Sequence, residues 1–245
     1  MPPLHRALIF CTIVGGLVLS LFVGYMFLRS LMPATDASLS RFPDIVQEAW
    51  RKRHRTAEEA QERALEASRE CVANGNRYCL MEDYKSALRE YTKAARLDST
   101  NLDACLEAGR VAWLLHEPVT ARAGWQKALT LAPLAATAHA GLFEMLKDGS
   151  DEDRRRAFRH AITLQVLSPY RSAPREFILL NPEIGVEIER VAGDAGSESV
   201  TETDPRQLLT KAWQALPKQD RRTADICFGR VLAQLRAAEA AQGPQ

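Results

Sequence analysis

The sequence predicts an all-α protein in which an N-terminal transmembrane helix is followed by an α-solenoid of helical hairpins. Three observations carry this: an uncharged apolar stretch near the start, a polar tract rich in helix formers, and an internal repeat with a period of 34 residues. With 245 residues, 46% of them apolar, the chain can bury a sizeable core without disulfides. Thirty-two basic against 31 acidic residues leave a net charge of +1, so there is no basic field to hold nucleic-acid phosphates. Five cysteines, with no Cys-x-x-Cys pair and no Cys/His cluster at zinc spacing, exclude a structural zinc site and a dense disulfide framework.

A short tail (1–6) leads into the anchor (7–32). The 22 residues Ala7 to Leu28 carry no charge and, as a helix, are long enough to cross about 30 Å of hydrocarbon. A cleaved signal peptide would have a shorter apolar core and a small-x-small cleavage site, whereas this stretch ends in Leu28-Arg29-Ser30-Leu31-Met32-Pro33. An uncleaved, single-pass anchor is expected. Its orientation is nearly tied under the positive-inside rule, with Arg6 on one side and Arg29 and Arg41 on the other.

Residues 33–67 read as a polar helical stalk. From Pro43 to Cys71 the chain is rich in Glu, Arg, Ala and Gln, which favour helix. Basic and acidic residues balance at seven each between Arg41 and Glu70. The basic run Arg51-Lys52-Arg53-His54-Arg55 lies among acidic residues, so a solvated spacer is preferred to a lipid-binding patch.

The repeat sets residues 68–101 over 102–135. Cys71 falls on Cys105, Gly75 on Gly109, Ala87 on Ala121, Tyr91 on Trp125, Ala94 on Ala128 and Leu97 on Leu131. Each copy reads as two antiparallel helices, with Met81-Glu82-Asp83 and His116-Glu117-Pro118 as turns. Ala87, Tyr91 and Ala94 share one face of the second helix at i, i+4 and i+7, and small residues there let helices approach while the aromatic fills the space between copies. Pro133 stops the second copy's second helix. A third, looser copy covers 136–169, with Leu142 at an apolar position, Asp148-Gly149-Ser150-Asp151 as turn, and Phe158-x2-Ala161 on the packing face. Residues 170–203, punctuated by Pro and Gly, read as an irregular segment and flexible loop. Asp204-Pro205 opens a C-terminal helix pair (204–245) in which Ala224-x3-Phe228-x2-Val231 repeats the spacing, as a cap or a divergent repeat.

The stretch from Gly75 through Pro133 resembles the tetratricopeptide repeat family, whose pattern is Trp-x2-Leu-Gly-x2-Tyr, then Ala-x3-Phe, then Pro. It departs where Cys71 and Cys105 replace Trp, Asn74 and Ala108 replace Leu, and Ala112 replaces the Tyr kept as Tyr78. The resemblance implies a groove lined by the first helices, which holds a protein or peptide partner. Carried over by position, its lining is Arg69, Val72, Asn76 and Cys79 in the first copy. The second copy contributes Asp103, Leu106, Arg110 and Trp113, and the third Thr137, Ala140, Glu144 and Lys147. Trp113 is the sharpest candidate, either as an interface anchor or as packing against the stalk or the C-terminal helices. Asn76 would suit the carboxylate clamp of some family members, but Val72 stands where that clamp has Lys.

No motif for catalysis is present. His5, His54, His116, His139 and His160 lie outside any Gly-x-Ser-x-Gly, His-Glu-x-x-His or phosphate-loop pattern, so no catalytic residue, metal, cofactor or small-molecule substrate is expected. His139 and His160 are candidates to meet in space, with packing the more common fate of a helical histidine. Cys71 and Cys105 read as small core residues, Cys79 and Cys227 as exposed ones, and a Cys71–Cys79 disulfide would need a broken helix.

These features lead to a membrane-tethered scaffold that recruits a protein partner in a bacterial envelope assembly. The alternative is an accessory subunit of an enzyme or maturation system, such as cytochrome c biogenesis, that presents a substrate protein. The Ala- and Arg-rich composition, the Cys-poor core and the absence of Asn-x-Ser/Thr point to bacteria, and with the single-pass anchor the inner membrane is the expected location. The soluble part is expected in the periplasm, with the cytoplasm as the alternative.

Overall fold

The computed structural model describes residues 44–194 and 202–242, and every regular element among them is helical. The expected membrane span at 7–28 and most of the loop at 193–203 lie outside the described residues. Among the described residues no helix is long and apolar enough to cross a membrane.

The chain divides into two units, Met1–Glu62 and Arg63–Gln245. In the first, the described residues are helical and almost all exposed, at the start of helix α1 (Asp44–Leu80). This stretch contains no Gly or Pro, and the Trp50 ring lies 3.8 Å from that of His54, one turn on.

In the second unit, the last turns of α1 pack on α2 (Tyr84–Leu97) through the Gly75–Tyr91, Asn76–Tyr91 and Ser68–Ala94 contacts, while α3 (Leu102–Leu114) pairs with α4 (Pro118–Leu131) and α5 (Ala136–Leu146) with α6 (Asp151–Leu167). Next come α7 (Ser172–Leu180), α8 (Pro182–Asp194), α9 (Pro205–Ala215), a 3-10 turn (Leu216–Lys218) and α10 (Arg221–Gln242). Helical hairpins stacked side by side are therefore the architecture.

Three hairpins turn in the same way. Glu82, His116 and Gln219 have φ of 59°, 58° and 62°, left-handed positions that usually go to glycine. The residue after each donates its backbone N–H five residues back: Asp83 to Tyr78 (3.0 Å), Glu117 to Ala112 (2.9 Å) and Asp220 to Ala215 (3.2 Å). These bonds satisfy carbonyls at the end of the first helix. The same residues then begin the second helix, where the Asp83 and Asp220 carboxylates accept from the N–H groups of Ser86 and Thr223. The third hairpin turns differently, at Asp148-Gly149-Ser150, and Ser150 caps α6 through the Asp153 N–H at 3.2 Å.

The packing face of each second helix follows from this. Ala87, Tyr91 and Ala94 on α2 are fully buried, as are Ala121 and Ala128 on α4 with Trp125 between them, and Ala224, Phe228 and Val231 on α10. On α6 Phe158 and Ala161 are buried too, but Arg154 stands four residues after the cap where the other three have alanine. Bulky rings on this face require glycine opposite. A Cβ on Gly75 would lie 2.7 Å from the Tyr91 ring, and one on Gly109 would lie 2.6 Å from that of Trp125.

Residues 170–194 depart from the expected irregular segment, because they form α7 and α8. Pro174 lies in the first turn of α7 and Pro182 opens α8, positions whose N–H would have no partner within the helix, so these prolines begin helices rather than break them. Gly185 sits inside α8, where a Cβ would come 2.8 Å from the Arg236 guanidinium.

Candidate functional site

Three of the groove positions of the first two hairpins, Asn76, Cys79 and Arg110, are linked through one hydroxyl. Tyr91 is buried on α2, and its O–H reaches the first helices, donating to Asn76 Oδ1 at 2.6 Å and lying 3.6 Å from Cys79 Sγ. Arg110, on α3, brings Nη2 to 3.7 Å from the same sulfur, and its Nε donates to Glu107 Oε2 at 2.8 Å. Asn76, Cys79 and Arg110 thus form a polar chain that joins successive first helices. Burial, then the Cys79 thiol beside it, push the Tyr91 phenol above its ordinary value, so it stays protonated and remains a donor. Burial works against the charge of Arg110, but the Glu107 carboxylate outweighs it and holds the guanidinium above its ordinary value.

The other positions divide by exposure. Trp113 leaves 39% of its surface open, with its ring 6.2 Å from that of Trp125. Arg69, Asp103 and Thr137 are exposed, and Glu144 pairs with Lys147 at 2.7 Å. Ala140 and Glu144 line a hollow of about 290 Å³ that Arg171, Ser172 and Pro174 close from the α7 side. Val72 and Leu106 are half-buried and pack into the apolar clusters between helices, Val72 beside Cys71 and Ala94, Leu106 beside Cys105 and Leu142. They lend the groove side chains that serve packing first.

A second polar cluster lies deeper, among α5, α6 and α9. His139 and His160 face each other, Nδ1 to Nδ1, at 2.8 Å. His139 Nε2 lies 2.8 Å from the Pro133 carbonyl, which can only accept, so Nε2 carries the proton and His139 Nδ1 is the acceptor for a proton on His160 Nδ1. Burial disfavours a charge on either ring, which keeps both neutral. Burial pushes His139 down to about 4, and burial, then His139 and the nearby Arg159, push His160 well below its ordinary value. The Trp213 ring stacks on His160 with centroids 4.7 Å apart, and its Nε1–H donates to Thr163 Oγ1 at 2.9 Å. The sequence offers the meeting of the two histidines only as the less common outcome, and it gives no sign of Trp213, which lies 50 residues beyond Thr163.

The cysteine reading needs a correction. Cys227 is fully buried in the cluster of α8, α9 and α10, because it follows Ile226 onto the inner face of α10. Cys79 is half-buried, Cys71 and Cys105 are buried, and all four described thiols are free. Cys71 and Cys79 lie eight residues apart on the unbroken α1, about 12 Å along its axis, which is beyond disulfide reach. Among the described residues, no three His, Cys, Asp or Glu side chains are placed to hold a metal ion. No family model matches the chain, and no curated protein is significantly similar to it.

Proposed function

We propose that this chain is a membrane-tethered, tetratricopeptide-like scaffold that holds a protein or peptide partner along its first helices, in the assembly of a bacterial envelope complex. The observation that carries the reading is the Asn76–Tyr91–Cys79–Arg110 chain. It sets polar groups of successive first helices at fixed positions, beside a Trp113 left partly open. Rigid, partly exposed Arg and Trp side chains are the usual anchors of an interface. The shared turns and the alanine–aromatic–small faces support the repeat assignment, and the apolar stretch at 7–28 supports the tether.

The test is a crosslinking pull-down from native membranes with full-length variants. Trp113→Ala and Arg110→Ala are expected to keep the thermal midpoint near wild type and to weaken the partner by more than about 1 kcal/mol. Ala121→Leu should instead lose the partner through unfolding, since Ala121 is fully buried. If Trp113→Ala lowers the midpoint as much as Ala121→Leu does, Trp113 belongs to the core and the groove reading of the second hairpin is withdrawn. If both surface variants are stable and bind normally, the partner uses another face.

A further inference from the structure

A half-open cavity of about 280 Å³ is lined by residues of α4, α5, α6, α9 and α10, none of them a position assigned to the groove. Four arginines line it: Arg122 from α4, Arg156 and Arg159 from α6, and Arg221 from the start of α10. Their charges are only partly answered. Arg159 pairs with Asp225 at 2.8 Å and Arg156 with Glu152 at 3.3 Å. Arg122 lies close enough to Asp153 to help hold that carboxyl below its usual range, after the hydrogen bonds of Ser150. Neither Arg122 nor Arg221 makes an ion pair among the described residues, so the cavity keeps an excess of positive charge.

Glu152 and Gln126 also line the cavity, and the rest of the lining is apolar or aromatic. Leu129, Leu142, Leu146 and Leu216 line it, together with the stacked rings of His160 and Trp213. One further donor is left over, because Arg159 Nε is buried without a hydrogen-bond partner although Nη2 of the same side chain is engaged.

We propose that this cavity binds a carboxylate carried on a compact apolar body, with Arg122 and Arg221 taking the charge and the Leu and Trp213 surface taking the body. Cationic side chains beside apolar ones match such a ligand better than a small inorganic anion, which would leave the leucines facing water. The carboxylate has two possible sources, a free organic acid or a glutamate side chain flanked by apolar residues on a protein. This site does not depend on the groove, and the failure of the Trp113 and Arg110 variants would leave it untouched.

The test uses the full-length chain in detergent and reads the indole N–H resonance of Trp213, assigned with Trp213→Phe. The probes are 3-phenylpropionate, its neutral amide, inorganic phosphate and acetyl-Leu-Glu-Leu-amide. The acid should shift the resonance saturably, and the amide should bind about tenfold more weakly or worse, as expected when a charge-assisted hydrogen bond is lost. Phosphate should not saturate it. Arg122→Gln combined with Arg221→Gln should weaken the acid by about fivefold or more, while the exposed Lys93→Gln should bind as wild type does. Should the pair variant fail to fold, Arg221→Gln alone, at an exposed position, is expected to weaken binding in the same direction. Equal affinity for acid and amide, or wild-type affinity in the arginine variants, overturns the proposal. With the proposal standing, tighter binding of the peptide than of the free acid assigns the site to a protein-borne glutamate, and the reverse order assigns it to a small molecule.

Discussion

Acidification from pH 8 to pH 5 should destabilise this protein through its buried histidine pair. His139 is fully inaccessible, with its Nε2–H spent on the Pro133 carbonyl and its Nδ1 on His160, so no lone pair remains for a proton in the folded state. Its folded value, about 4, lies below the ordinary 6.5 that it regains on unfolding. The unfolded chain therefore binds the extra proton, and stability that is complete above about pH 6.5 falls as the pH drops toward 4. At pH 5 the unfolded ring is nearly all charged and the folded one nearly all neutral, which makes the loss from His139 about 2 kcal/mol. His160 is shifted in the same direction and adds to it. The carboxylates of Asp83, Asp153 and Asp220 at helix starts, and of Asp98 in the turn at Thr100, are held below an ordinary value of 3.8, so they release their contribution only at more acid pH. Urea unfolding followed by tryptophan fluorescence at both pH values measures the difference. The His139→Gln, His160→Gln double variant keeps hydrogen-bonding side chains that do not titrate. Whatever stability it has at pH 8, it should lose far less than wild type on going to pH 5. An equal loss in the two proteins would show that the pair is not the acid-sensitive element.

Three further predictions concern the fold, the tether and the side of the membrane that carries the soluble part. Gly109→Ala removes a helix-interior glycine, which on an open helix stabilises by about 1 kcal/mol, but here the new Cβ would meet the Trp125 ring at 2.6 Å. The variant should melt below wild type, at a cost of about 1–3 kcal/mol, and a raised midpoint would mean that the ring moves aside freely. Alkaline carbonate should leave the full chain in the membrane pellet, because about 20 apolar residues exceed any reversible surface attachment. Release of the intact chain would remove the anchor from the account. Protease added to spheroplasts should digest the soluble part, and protection that lysis abolishes would place that part in the cytoplasm.

What could be read beforehand was local and periodic. The 34-residue register places alanine and an aromatic on one face of each second helix, and that face is buried in α2, α4 and α10. The common turn was less legible, since Glu82, His116 and Gln219 adopt a left-handed conformation without being glycine. Only their equivalent places in the hairpins point to it. Residues 170–194 were misread because Pro174 and Pro182 look like breakers until their place in a first turn is known. The His139–His160–Trp213 cluster and the four-arginine cavity are assembled from residues up to about a hundred positions apart, and no spacing rule connects Arg122 with Arg221. In the groove, the half-burial of Val72 and Leu106 came from contacts between hairpins, which a position-by-position transfer does not contain.

The central claim, that the partner lies along the first helices, is tested most directly by photocrosslinking in intact membranes. A photoreactive residue replaces Asn76 or Trp113 on α1 and α3, or, as the reference, the exposed Lys93 or Lys127 on α2 and α4. A single protein adduct of defined mass from Asn76 and Trp113, absent from Lys93 and Lys127, is the predicted result. Adducts from the second-helix positions with none from Asn76 or Trp113 would contradict the assignment.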